Sequence, residues 1–146
     1  DDVAPVFASS YIRLLEDLPE RVGGAVGAVA DAGDDEGVIV HCFAGKDRTG
    51  IVSALLLSLV GVPDELIAAD YAASDPGVDR LSTPWFASAR DETELKLRRR
   101  VSISPHATML DVLTWVHETG GGPDEYLREA GLSNAQLETL RARLGD

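Results

Sequence analysis

Val38-Ile39-Val40-His41-Cys42-Phe43-Ala44-Gly45-Lys46-Asp47-Arg48-Thr49-Gly50 is the stretch on which the reading of this chain turns. Its first four residues, Val38–His41, are a short β-branched run that follows the turn Ala32-Gly33-Asp34-Asp35-Glu36-Gly37, and this predicts a strand. The apolar side chains of the run point to both faces, which suits a buried central strand of a parallel sheet. Cys42–Arg48 is a polar loop containing Gly45, and Thr49–Val60 reads as an apolar helix stopped by Gly61 with Pro63 beyond. The order strand, loop, helix aims the positive end of a helix and a set of backbone N–H groups at one point.

Working outward, Ser9 or Ser10 can cap a helix over Tyr11–Asp17, and Pro19 restarts it toward Ala32. Ile12, Leu15, Val22, Val26 and Val29 have roughly helical spacing, while Gly23, Gly24 and Gly27 weaken the middle. Downstream, Pro63 opens a helix over Asp64–Ser74. Residues 75–90 read as irregular because of Pro76, Gly77 and Pro84. Asp91–Arg100 is helical, with acids first and bases last. Ser104-Pro105 opens a helix through Met109, Leu110, Leu113 and Val116 to Gly120-Gly121-Gly122. Pro123–Ala130 and Asn134–Leu144 close the chain, with Ser133 and Gln136 placed for a capping box.

One strand cannot satisfy its own backbone. The other strand candidates, Val3–Phe7 with Pro5 inside it and Val101–Ile103, do not make a sheet with it. Partner strands are therefore expected ahead of Asp1. The chain opens on Asp1-Asp2 rather than Met, in keeping with numbering that begins inside a longer protein.

The composition narrows the function. The 146 residues suit one domain, and 45% hydrophobic with 26% charged residues suits a globular one. Thirteen basic against 25 acidic residues leave a net charge of −12, which argues against a nucleic-acid partner and against broad docking on an anionic membrane. The single cysteine excludes an intramolecular disulfide. Ile51–Val62 is broken by Ser53, Ser58 and Gly61 and is shorter than the roughly 20 residues a membrane helix needs, so no stable membrane insertion is expected. No basic-then-apolar leader opens the sequence, and a cytoplasmic setting is expected.

Within the loop, Cys42 and Arg48 are separated by five residues. Gly45 allows close backbone approach, and the Arg48 fork can bind two phosphate oxygens. Cys42 shares the positive field of the helix end, which lowers a thiol pKa from about 8.5 to about 3.5–7.5 and makes it a nucleophile toward phosphorus. A nucleotide-binding P-loop fails, because it needs Gly at 40 and Ser or Thr at 47, where this chain has Val40 and Asp47. His106 and His117 lack metal-ligand spacing, so neither a metal nor a cofactor is expected.

The decapeptide His41-Cys42-Phe43-Ala44-Gly45-Lys46-Asp47-Arg48-Thr49-Gly50 resembles the signature of the cysteine-dependent protein tyrosine phosphatases. It is most similar to the bacterial tyrosine/lipid phosphatase group typified by the mycobacterial B-type enzyme. Gly121-Gly122, Tyr126-Leu127, Gly131-Leu132 and Leu140-Arg141 in the tail also resemble that group, and residues 64–103 do so only loosely. The resemblance implies a three-layer α/β phosphatase fold with a central parallel sheet. It implies one phosphatase domain over residues 1–146, helical over 63–146, with lid elements around 75–103. It further implies a phosphomonoester hydrolase working through phosphocysteine on phosphorylated proteins, phosphoinositides or both.

By the same resemblance Cys42 is the nucleophile. Arg48 and the backbone of Phe43, Ala44, Gly45, Lys46, Asp47 and Arg48 hold the phosphoryl oxygens. The Thr49 hydroxyl donates to the thiolate, and His41 either orients the loop or is a satisfied core histidine. Asp47 stands as the general acid, against a structural ion pair or loop cap, with Asp17, Asp31, Asp34 and Asp35 as upstream candidates. Lys46 reads either as a contact for polyanionic inositol phosphates or as general phosphate attraction. The run Lys96, Arg98, Arg99, Arg100 is either a headgroup site or a solvated helix end, and Trp85-Phe86 either a lid element or core filler. Two other functions compete: a non-catalytic phospho-ligand module, and a rhodanese-like sulfurtransferase, whose loop places Cys and Arg closer together.

Overall fold

The computed structural model describes residues 3–33 and 35–145, so Asp34, one of the upstream acid candidates, lies outside the described residues. Among them are nine helices: α1 (Ala4–Asp17), α2 (Pro19–Asp31), α3 (Asp47–Leu59), α4 (Asp64–Ala72), α5 (Asp75–Ala87), α6 (Glu92–Ser102), α7 (His106–Glu118), α8 (Pro123–Glu129) and α9 (Asn134–Leu144).

The helix α3 is the hub. Ile51, Val52, Ala54, Leu55, Leu56 and Leu59 are buried on all sides of it, so it lacks a polar face and is surrounded. Its neighbours are α2, α4, α8 and α9, while α7 packs on α1 and α4. Gly23 lets α2 approach the end of α8: a Cβ there would lie 2.1 Å from the Ala130 carbonyl oxygen. The glycines that read as weak helix formers therefore serve packing. At the C-terminal end, Ser133 and Gln136 form the expected capping box of α9.

One segment departs from expectation. Residues 75–87 are helical: Pro76 occupies the first turn, where its missing N–H is not needed, and Pro84 lies in the last turn. The resulting α5 packs chiefly on α6. Arg98 of α6 donates to the Trp85 carbonyl and, at 2.9 Å, to Ser88 Oγ, with its guanidinium 5.0 Å from the Trp85 ring centroid. Arg99 lies 5.7 Å from the Phe86 ring, so Arg98 and Arg99 hold α6 to α5, while Lys96 pairs with Glu92 at 3.0 Å within α6. Arg90, and behind it Arg98, hold the Glu94 carboxyl down at about 2.

The expectation of an α/β fold with a central parallel sheet is overturned: the described residues contain no strand. Val38–His41 runs as irregular chain, with Ile39 87% exposed. The reason is the absence of a ladder partner. A strand's N–H and C=O groups are satisfied only by a second strand. Val3–Phe7 joins α1, where Pro5 is at home in the first turn, and Val101 and Ser102 end α6. The irregular stretch is nonetheless anchored at its start, where Arg143 of α9 donates to the carbonyls of Ala32 at 2.8 Å, Gly33 at 2.9 Å and Glu36 at 2.7 Å.

Candidate active site

The loop ends where α3 begins. Gly45 takes a φ of 69°, a left-handed conformation that a side chain resists, and this turns the backbone so that its N–H groups face inward. The first turn of α3 leaves its own N–H groups without helical partners. One of them, that of Thr49, turns to Cys42, together with the loop N–H groups of Gly45 and Lys46. Burial of the half-buried Sγ works to raise its pKa, but the Thr49 hydroxyl and the N–H groups of Thr49, Gly45 and Lys46 outweigh it and bring the thiol from 9.0 down to about 7. Thr49 Oγ1 is buried and completes no full hydrogen bond, so it acts on the sulfur by proximity. The result is a thiol substantially ionised near neutral pH.

Asp47, the first residue of α3, is held by a hydrogen bond and an ion pair. The Tyr11 hydroxyl of α1 donates to its Oδ1, and Lys46 Nζ lies 3.4 Å from the same oxygen. Tyr71 of α4 stands behind Tyr11, hydroxyl to hydroxyl at 2.9 Å. Burial, with the Asp47 contact second, pushes the Tyr11 phenol far above its usual range, and burial pushes Tyr71 up to about 12. Gly50 makes room for this arrangement, since a Cβ there would lie 2.8 Å from the Tyr71 ring.

Lys46 is 3% exposed. Its ammonium donates to the carbonyls of Ile103 at 2.8 Å and Val101 at 3.3 Å and sits 4.7 Å from the Phe7 ring centroid. Those carbonyls are orphans at the C-terminal end of α6, so the lysine closes that helix.

A cavity of about 590 Å³ opens beside the loop. Phe43, Ala44, Lys46 and Asp47 form one wall, and Val78, Leu81 and Trp85 of α5 form the other. Arg48 faces a different side. It lines a cavity of about 280 Å³ with Leu14, Leu18 and Arg21, and its side chain makes no hydrogen bond or ion pair among the described residues. The structure thus gathers Cys42, Gly45, Lys46 and Thr49 around the sulfur and Asp47 on the larger cavity, but it does not bring Arg48 to that cavity. His41 is exposed, and among the described residues its ring reaches only the neighbouring Cys42 carbonyl, at 3.1 Å. Asp17 pairs with Arg13 at 3.2 Å, Asp31 accepts from Gln136 at 2.9 Å, and Asp35 is exposed.

Tyr11 and Tyr71 are absent from the residues singled out by sequence. The available signal was a tyrosine on an apolar helical face, whose hydroxyl needs a partner when buried. Among the described residues no group of three or more His, Cys, Asp or Glu side chains is placed to hold a metal, and no helix is long and apolar enough to cross a membrane.

Comparison with known proteins completes the picture. The chain is similar to the triple specificity protein phosphatase PtpB of Mycobacterium tuberculosis, 34% identical over 119 residues that cover 73% of this chain and 43% of the relative. It is similar to a tyrosine-protein phosphatase of Nostoc commune, 34% identical over 125 residues that cover 78% of this chain and 41% of the relative. The chain therefore spans less than half the length of these relatives. The model of the family described as "Tyrosine phosphatase family" matches residues 1–146, and the chain that carries Cys42 at the head of α3 belongs to that family.

Proposed function

We propose that this chain carries the reaction centre of a phosphomonoester hydrolase that acts on phosphotyrosine in proteins and works through phosphocysteine. The observation that carries the reading is the convergence of the Gly45, Lys46 and Thr49 N–H groups on Cys42 at the head of α3, in a chain of the tyrosine phosphatase family. The Cys42 thiolate attacks phosphorus, and the S–P bond forms as the P–O bond to the leaving group breaks. Asp47 gives its proton to the leaving oxygen. Water then attacks phosphorus, the S–P bond breaks, the thiolate is restored, and the Asp47 carboxylate takes the proton from water. The loop amides neutralise charge on the phosphoryl oxygens, and Arg48, which lines the smaller cavity here, joins them only by turning its side chain toward Cys42.

The apolar walls of the larger cavity, Phe43, Val78, Leu81 and Trp85, suit an aryl phosphate. With α5 and α6 packed chiefly on each other, the hairpin serves as the lid of that cavity. The relative named for triple specificity supports serving more than one phosphoester class. Lys46 does not add to the case for inositol phosphates, because its ammonium is engaged by Val101, Ile103 and Asp47. The test is turnover of p-nitrophenyl phosphate and a phosphotyrosine peptide by the purified protein. Turnover lost in Cys42→Ser supports the reading. Persistence of turnover in that variant, or a stable persulfide on Cys42 formed from thiosulfate, contradicts it.

A further inference from the structure

We propose that Tyr11, backed by Tyr71, is a positioning residue that selects which carboxyl oxygen of Asp47 serves the reaction. The inference rests on the phosphatase reading above and goes past it, because it concerns two residues on α1 and α4 that lie outside the loop.

The geometry is asymmetric. The Tyr11 hydroxyl donates to Oδ1, and the Lys46 ammonium pairs with the same oxygen at 3.4 Å. A carboxylic acid carries its proton on one oxygen, and the oxygen that already accepts from Tyr11, with the Lys46 charge beside it, is the poorer place for it. In the acid form that the proposed reaction calls for, the proton is therefore on Oδ2, on a residue that lines the larger cavity. Tyr11 has one hydroxyl proton, and it goes to Asp47, so the contact with Tyr71 at 2.9 Å requires Tyr71 to be the donor and Tyr11 the acceptor. The direction of the whole chain follows: Tyr71 to Tyr11 to Asp47 Oδ1. Both phenols are buried, so neither hydroxyl can turn to bulk water without losing its partner.

The sequence that allows this is local. Tyr11 meets Tyr71 edge to face, with ring centroids 6.3 Å apart, and Phe7 stacks on Tyr11 at 6.4 Å one turn earlier. Gly50 leaves the space that the Tyr71 ring fills against α3. The carboxylate, on the first residue of α3, is thereby referenced to two other helices, and its orientation no longer depends on the loop alone.

Tyr11→Phe removes one oxygen and keeps the ring packing. The experiment compares it with the unaltered protein on p-nitrophenyl phosphate and on an alkyl phosphate, alongside the pH profile of Cys42 alkylation. The expected result is a loss on the order of 10- to 100-fold for the alkyl phosphate, whose leaving group needs the proton, and a much smaller loss for the activated aryl ester. The alkylation midpoint stays near 7, because the groups around the sulfur are untouched. Tyr71→Phe, which leaves the Tyr11–Asp47 bond in place, shows the same split at smaller size. Equal loss on both substrates, or a displaced alkylation midpoint, shows that Tyr11 merely supports the loop and overturns the proposal while the phosphatase reading stands. Absence of turnover in the unaltered protein overturns that reading and this proposal with it.

Discussion

Lys46 Nζ lies 2.8 Å from the carbonyl oxygen of Ile103, so the cation of the Cys42 loop is bound to the end of α6. A lysine that reads in sequence as a phosphate contact is, in the fold, the joint between the reactive loop and the α5–α6 hairpin. Its hydrogen bonds to two orphan carbonyls are charge-assisted, and such bonds contribute about 1.5–3 kcal/mol to stability. Lys46→Met, which keeps the length of the side chain, should lower the unfolding free energy in urea by that amount and raise hydrogen exchange at the end of α6. An unchanged unfolding midpoint contradicts the joint.

The thiol sets a pH dependence. Cys42 titrates at about 7 in the fold against 9.0 in its absence. Because the folded value is the lower one, the stability contributed by the thiolate is full above pH 9 and is lost as pH falls through about 7. Iodoacetamide should therefore react with the native protein with a midpoint near pH 7. Thr49→Ala, which removes one of the groups lowering the pKa, should move that midpoint upward. A midpoint at the ordinary thiol value in the unaltered protein contradicts the amide cradle.

Gly50 is a packing residue at the head of α3. A Cβ would come within 2.8 Å of Tyr71 Cδ2 and 3.1 Å of Cε2, so Gly50→Ala must displace a buried ring. Overpacking of this kind costs about 1–3 kcal/mol. Thermal unfolding should register that loss, and the fluorescence of the buried tyrosines should change with it. A fully native melting temperature speaks against the crowding.

Asp47 has its own signature. Asp47→Asn should slow hydrolysis of alkyl phosphates by about 10²–10⁴-fold, the usual contribution of a general acid, and p-nitrophenyl phosphate far less. Equal losses identify Asp47 as an anchor for Tyr11 and Lys46 alone.

The helices were legible where punctuation agrees with periodicity. Pro19, Gly61 and the Ser133/Gln136 pair each mark a real boundary, and α9 runs over the residues that its pattern marks out. Residues 75–87 misled because Pro76 and Pro84 read as breakers, whereas Pro76 stands in the first turn, where its N–H is not needed, and the helix carries Pro84 near its end at the loss of one backbone hydrogen bond. Val38–His41 misled for a different reason. β-Branched pattern encodes a preference, and the pairing that realises it is a tertiary matter. The loop was legible because its residues lie side by side in the chain. Tyr11 and Tyr71 were not, since 36 residues separate Tyr11 from Asp47 and only the packing of α1 and α4 brings the three together. The side on which Arg48 leaves α3 was equally invisible, being set by the rotation of the helix once its apolar faces are buried.

The central claim is that Cys42 carries the phosphoryl group, and the most direct measurement is to catch it there. The purified protein is mixed with p-nitrophenyl phosphate at pH near 7, quenched in acid during turnover, digested, and the peptide bearing Cys42 is examined by mass spectrometry and phosphorus NMR. The account predicts one phosphoryl group on Cys42 sulfur, absent in Cys42→Ser and accumulating more slowly in Thr49→Ala. Hydrolysis that proceeds with Cys42 unmodified throughout, or that survives in Cys42→Ser, would contradict it.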